Sequence, residues 1–413
     1  MNTNRRIAKN TFFLYILTLS NYFLGLLLYP FLSRVLSVEK FGLIGFSMSF
    51  ILIFQMIVEY GFNISTTADI SKLRLNTKKV NEIVTSVIWS KILLSGISIF
   101  IFAFISLLLP MIGNNILIVG LFLIDSIIKA MLPDFYFRGI EEMKTITIRA
   151  VIAKFLCILL AIIFVHSDKQ IVLIPISFII GDSMALIITF IMMFKNGVRI
   201  SKPNFSEICK MLREGFLFFI SRLSVSINNS VGSFFLGLSF SPASVELGIL
   251  AGITKITTAG EMMLTPISDS IYPHMVKEKD YKLLKKIFIY GGIVWLVGCS
   301  IVFLGANTVC SIILGAKYSS AGDYLRILMV NSFFAFFSIF LGYPSLSPIG
   351  KANYANAAIP VATIINVLAC LMLWIFNAIT LVRILVIMSL MNIILVIIRG
   401  SAFYKYRYLI PKK

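Results

Sequence analysis

The chain has 413 residues, 59% of them hydrophobic and only 13% charged, with a mean hydropathy of +0.95. Soluble domains carry ~25% charged residues, so this composition excludes an ordinary soluble globular protein. The net charge of +19 would direct a soluble chain toward nucleic acid, but here the basic residues cluster between apolar runs, and membrane topology explains them better.

Twelve apolar stretches predict transmembrane helices near 12–36, 41–64, 84–109, 116–137, 148–165, 171–194, 213–240, 246–268, 286–306, 322–344, 357–376 and 379–399. A hydrocarbon core of ~30 Å needs roughly 20 residues of helix. The runs are apolar on every face, whereas barrel strands alternate. Ahead of the first span, Arg5, Arg6 and Lys9 precede no short apolar region with a small-residue cleavage site, so that span is expected to be retained. Cys157, Cys209, Cys299, Cys310 and Cys370 show no Cys-x-x-Cys spacing and read as small hydrophobes.

The loops alternate in charge. Twenty-six Lys and Arg fall in one set, including Lys72 to Lys79, Arg138 to Arg149, Lys195 to Arg213, Lys277 to Lys286 and Arg399 to Lys413. The opposite set holds only Arg34, Lys40, Lys169 and Lys317. The positive-inside rule then places both termini in the cytoplasm, and an even number of spans requires both ends on one side.

An internal repeat runs through the chain. Ser37-Val38-Glu39 recurs 207 residues later as Ser244-Val245-Glu246, and Gly42-Leu43 then matches Gly248-Ile249 after one residue is dropped. Asn21 meets Asn228 at the same offset. Each match sits at an equivalent point of a six-span half, with the basic loop 195–213 between the halves. The expected domains are therefore six-helix bundles at 1–200 and 201–413. Because each half has an even span count, the repeat is parallel, with a pseudo-twofold along the membrane normal. Transporters built this way place substrate between their halves.

Several charges lie deep in the spans, where each costs ~2.5–3.5 kcal/mol at a helix centre. The cations are Lys91, Lys129, Lys154, Arg222 and Lys255; the acids are Asp125, Asp182 and Glu261, with Glu59 nearer the cytoplasmic end. Asp125 and Lys129 are four apart and can pair on one helix. Lys91 and Lys154 can snorkel toward the cytoplasmic face. Arg222 and Lys255, on the first two helices of the second half, have no intrahelical partner and are assigned to a cavity. The cationic surplus favours an anionic cargo, and Asn21, Asn63, Asn228 and Asn229 add amides suited to sugar hydroxyls or to interhelical contacts. Substrate-binding candidates are thus Arg222, Lys255, Lys129, Lys154, Lys91, Asn21, Asn228 and Asn229; coupling or ion-pair candidates are Asp125, Asp182, Glu261 and Glu59.

Nothing in the chain reads as an enzyme. His166 and His274 form no metal spacing or nucleophile–base arrangement, and no phosphate-binding Gly-rich loop is present. Neither a metal nor another cofactor is expected.

The segment Glu59-Tyr-Gly-Phe-Asn-Ile-Ser-Thr-Thr-Ala-Asp-Ile-Ser71 resembles the end of the second span in bacterial O-antigen flippases of the Wzx type. Leu314-Gly-Ala-Lys-Tyr-Ser-Ser-Ala-Gly-Asp-Tyr-Leu-Arg-Ile-Leu328 and Pro344-Ser-Leu-Ser-Pro-Ile-Gly-Lys351 are similar to segments of the same family. These flippases belong to the polysaccharide transporter branch of the multidrug/oligosaccharidyl-lipid/polysaccharide flippase superfamily. The resemblance implies an all-α, MATE-like fold of about twelve transmembrane helices in the bacterial inner membrane. It also implies translocation of undecaprenyl-pyrophosphate-linked O-antigen or a related surface polysaccharide from the cytoplasmic to the periplasmic leaflet. The implied partners are this lipid-linked oligosaccharide, membrane lipids, a polysaccharide polymerase and a chain-length regulator, with no nucleic acid. Two alternatives carry less. A multidrug antiporter of the same superfamily would favour an acidic cavity for cationic drugs. An integral-membrane polymerase or transferase would be expected to have a large extramembrane loop or a positioned catalytic group.

Overall fold

The computed structural model describes residues 13–410, apart from 14–15, 18–19, 21–23 and 26, and every regular element among the described residues is helical. Ten helical runs are long and apolar enough to cross a membrane: Val38–Leu73, Thr77–Leu108, Ile116–Gly139, Met143–Phe164, Leu173–Lys195, Val245–Glu278, Tyr281–Leu304, Ala316–Ile349, Ala352–Ile375 and Leu381–Lys405. They coincide with the second to sixth and eighth to twelfth predicted spans. The seventh is the helix Phe205–Ser239, which begins well before residue 213. Of the first, residues 27–35 are helical. Most of 12–26 lies outside the described residues, Asn21 included.

Four spans are broken where hydropathy alone predicts continuous helices. The second stops at Glu59 and restarts at Phe62, across Tyr60 (φ 46°) and Gly61 (φ 79°). Such left-handed residues end a helix, and glycine takes that conformation without a Cβ penalty. The fourth breaks between Met131 and Asp134, where Pro133 drives Leu132 to an extended ψ of 129°. The eighth turns at Met262–Met263; Pro266 has no N–H to offer the Met262 carbonyl. The tenth breaks at Gly342, two residues before Pro344. These are the second and fourth spans of each six-span set.

The described residues form two compact units: those up to Leu28 with Ser47–Ser226, and Tyr29–Phe46 with Ile227 onward. In the first unit, Phe62, Val84, Val87, Phe135, Phe137 and Met193 make a buried cluster around the broken ends of the second and fourth spans. The segment after the sixth span is tied along the third. The Arg199 amide donates to Asn81 Oδ1 at 3.3 Å, the Ser201 amide to Thr85 Oγ1 at 3.2 Å, and Trp89 Nε1 to the Ser201 carbonyl at 3.3 Å.

In the second unit, Leu264, Phe336 and Phe340 pack with Trp295, while Leu346, Ile349, Ala355 and Ala402 fill a separate cluster. Small residues bring backbones together here: a Cβ on Gly45 would strike the Ala251 side chain, and one on Gly248 would strike the Val38 carbonyl. Hydrocarbon offers no hydrophobic drive between helices, so close packing of this kind is what holds them. Phe100, Leu107, Val294 and Leu304 are exposed, as expected of surfaces that face lipid.

Candidate functional site

The first unit holds two groups of charges. In one, Lys129 Nζ lies 2.6 Å from Asp125 Oδ2 and 3.3 Å from Asp182 Oδ2, and 4.9 Å from the centre of the Phe178 ring. Helical spacing supplies the first contact. The second is tertiary: Asp182 reaches Lys129 from the sixth span, whose Gly181 also packs so closely on the fifth that a Cβ there would strike Cys157 Sγ and sit 2.7 Å from the Ala153 carbonyl. The predicted pair is therefore a triad of one ammonium between two carboxylates. Asp125 is buried, and its Oδ1 has no hydrogen-bond partner among the described residues.

The other group surrounds the breaks in the second and fourth spans. Lys91 does not snorkel; its side chain is 1% exposed. Its Nζ donates to the carbonyls of Ala130 at 2.6 Å and Leu132 at 3.0 Å and lies 5.1 Å from the centre of the Phe135 ring. A cation on the C-terminal carbonyls of a broken helix satisfies orphan acceptors and meets the negative end of the helix dipole. Glu59 accepts from Gln55 Nε2 at 2.8 Å and lies within electrostatic reach of Lys91, Asp134 and Arg222. Arg149 Nη2 pairs with Asp134 Oδ1 at 2.8 Å. Loop counting had placed Arg149 outside the membrane; it lies buried within the helix Met143–Phe164.

Arg222 and Lys255, paired by the sequence reading as neighbours in the second half, fall in different compact units. Arg222 is exposed and joins the Glu59 group. Lys255 is half-buried, with Nζ 4.3 Å from the centre of the Tyr29 ring. Neither forms an ion pair with a carboxylate among the described residues. Lys154 is half-buried on the fifth span.

The second unit carries a cluster of amides and hydroxyls around a single carboxyl group. Glu261 accepts from Ser332 Oγ at 2.8 Å and, at a longer 3.4 Å, from Asn331 Nδ2. Asn392 Nδ2 donates to Asn331 Oδ1 at 3.0 Å, and Trp295 Nε1 to the Ser332 carbonyl at 2.8 Å. Asn228 accepts from Asn366 Nδ2 at 2.8 Å, an interhelical bond, while Asn229 is exposed. Arg399, also counted among loop charges, is buried. It donates to the Ser338 carbonyl at 2.7 Å, Ser338 Oγ at 3.0 Å and the Ala355 carbonyl at 3.1 Å. It thereby caps the broken tenth span as Lys91 caps the fourth. Asp134, Asn331, Asn366 and Asn392 escaped the sequence reading; an amide, or for Asp134 a carboxylate, inside an apolar run was their only signal.

Residues 7–279 match the family described as "Polysaccharide biosynthesis protein". A protein of Escherichia coli (strain K12) named "Putative O-antigen transporter" is 30% identical over 337 residues, covering 79% of this chain and 80% of its own length. A protein of the same name from Shigella dysenteriae is 25% identical over 376 residues, covering 88% of this chain and 91% of its own. Among solved structures, an inward-facing multidrug resistance MATE transporter of the MOP superfamily aligns with a TM-score of 0.69 at 16% identity, over 95% of this chain and 94% of its own. An outward-facing one aligns at 0.63 and 17%, over 97% and 94%. The fold is MATE-like, and with two thirds of its length matched the chain belongs to the polysaccharide biosynthesis protein family.

Proposed function

We propose that this protein is a flippase that carries undecaprenyl-pyrophosphate-linked O-antigen, or a related surface-polysaccharide repeat unit, from the cytoplasmic to the periplasmic leaflet by alternating access. The observation that carries the reading is the match, over most of the chain, to a protein named for O-antigen transport. The broken second, fourth, eighth and tenth spans support it, since discontinuous helices are the usual means by which transporters bring backbone dipoles and polar groups to a cargo. The repeat supports six-span halves at 1–200 and 201–413 as the units of an ancestral duplication.

Charge supports the cargo. Lys129 is neutralised by two carboxylates and Lys91 is committed to carbonyls, which leaves Lys154, Arg222 and Lys255 of the deep cations, and Arg222 and Lys255 are the two we assign to phosphate recognition. Arginine offers a fork of donors to phosphate oxygens, and lysine a point charge. An inside-negative potential adds drive: roughly two charges moving outward gain on the order of 4–5 kcal/mol per 100 mV. The loop asymmetry supports an inner-membrane protein with both termini cytoplasmic. No chemical step is assigned to it, and a polymerase and chain-length regulator are its expected partners.

The test replaces Arg222 or Lys255 with Ala in cells that rely on this protein for export. Surface glycan should fall and lipid-linked intermediate should accumulate on the cytoplasmic side, with membrane abundance unchanged by immunoblot. Arg222→Lys should retain part of the activity. Normal export by both stably inserted alanine variants at native expression would overturn the assignment of the cargo site.

A further inference from the structure

The second unit contains a cavity of about 1080 Å³ at the turn joining the eighth and ninth spans and the C-terminal tail. Five cations line it: Lys277, Lys279, Lys282, Lys285 and Arg407. Its geometry follows from local structure. Lys279, at φ 51°, ends the helix Leu264–Glu278, and Asp280 caps the next helix by accepting from the Leu283 amide at 2.9 Å. The tight reversal gathers lysines from both helices around one space.

The two carboxylates in the lining do not balance this charge. Glu278 lies 3.8 Å from Lys277, and the second oxygen of Asp280 lies 3.8 Å from His274 Nε2. The bond from the Leu283 amide holds the Asp280 carboxyl below its usual range. Lys279, Lys282, Lys285 and Arg407 then have no carboxylate partner among the described residues. Lys282 and Lys285, three apart on one helix, repel each other.

The surroundings select the kind of anion. The ninth span continues from Lys285 into exposed apolar surface at Ile289, Tyr290, Ile293 and Val294. Arg407 stacks 4.1 Å from the centre of the Tyr404 ring, and Tyr404 and Tyr408 are exposed in the manner of an interfacial aromatic belt. A charged headgroup in the cavity would thus have its acyl chains against the adjoining helix. We infer that this cavity binds the anionic phosphate headgroup of a membrane lipid. The inference depends on the protein spanning a membrane and not on its cargo.

Native mass spectrometry of the purified full chain in detergent tests it, with phosphatidylglycerol, phosphatidylcholine and inorganic pyrophosphate as probes. The parent should retain phosphatidylglycerol over phosphatidylcholine by roughly tenfold or more, as several cations near a headgroup would produce. The variant Lys279→Gln/Lys282→Gln/Lys285→Gln/Arg407→Gln, with all four positions exposed, should lose that preference. Lys72→Gln/Lys78→Gln/Lys79→Gln, in the other unit, should keep it. Equal retention of both lipids by the parent, or an unaltered preference in the fourfold variant, overturns the proposal. Pyrophosphate binding as tightly as phosphatidylglycerol assigns the cavity to a soluble anion and overturns it as well. Since the measurement requires no transport, a negative result leaves the flippase reading standing.

Discussion

Gly42 and Gly248 meet backbone to backbone: a Cβ on Gly42 would lie 2.6 Å from the Gly248 amide nitrogen and 2.9 Å from the Ser244 carbonyl. These are the two positions that the internal repeat matches to each other. The first turns of the second and eighth spans therefore pack on one another through their equivalent residues, both within the second compact unit.

Substituting either glycine forces those turns apart. Gly42→Ala or Gly248→Ala should lower stability by about 1–3 kcal/mol, the usual range for overpacking, read as a lower unfolding temperature in detergent. Gly96 is the control, because a Cβ there meets nothing within 4 Å. If Gly42→Ala melts no lower than Gly96→Ala, the close approach does not exist in the folded protein.

Lys91 and Arg399 are capping groups for broken helices. Lys91→Met keeps the length of the side chain while leaving the Ala130 and Leu132 carbonyls without their donor. A buried orphan acceptor costs about 1–3 kcal/mol, so both Lys91→Met and Arg399→Met should be destabilised in the same thermal assay. Wild-type melting of both would show that neither cation caps a helix end, and would return Lys91 to the pool of cargo ligands.

Lys129 holds two carboxylates, so losses within the triad should depend on which charge is removed. Lys129→Gln leaves Asp125 and Asp182 facing each other and should be the most damaging single change. Asp182→Asn leaves a neutral pair and should be milder. Asp125→Asn combined with Lys129→Gln should recover part of the loss, with a coupling of about 0.5–3 kcal/mol. Additive effects in the double-mutant cycle, measured on stability and on export, would show that the groups act independently.

Topology can be read directly. Reporter fusions at Lys78 and Lys282 should report cytoplasm, and those at Gly113 and Ser319 periplasm. A periplasmic signal at Lys282 would invert the second half and undo the orientation drawn from the loop charges.

The sequence by itself determined the features that depend on one segment at a time. Apolar length marks a span because only a helix satisfies its own backbone in lipid. The charge alternation needed only the order of the loops, and the contact of Asp125 with Lys129 needed only helical spacing. Asn228 reads in the sequence as an amide suited to a sugar hydroxyl or to an interhelical contact; the structure gives it a bond from Asn366, a partner that no spacing marks. Hydropathy also failed at the helix ends. Arg149 and Arg399 sit where the apolar windows fade, so they were counted with the loops, although their helices continue and bury them.

Tertiary structure decided what separated segments do together. Asp182 completes the Lys129 triad only because the sixth span packs beside the fourth. Lys91 turns inward because a break 41 residues further along, beginning at Leu132, leaves carbonyls facing it. Arg222 belongs to the unit of Glu59 and Lys255 to the other because the chain passes from one compact unit to the next within the seventh helix, between Ser226 and Ile227. Each outcome depends on which backbones can approach closely, and linear spacing carries no record of that.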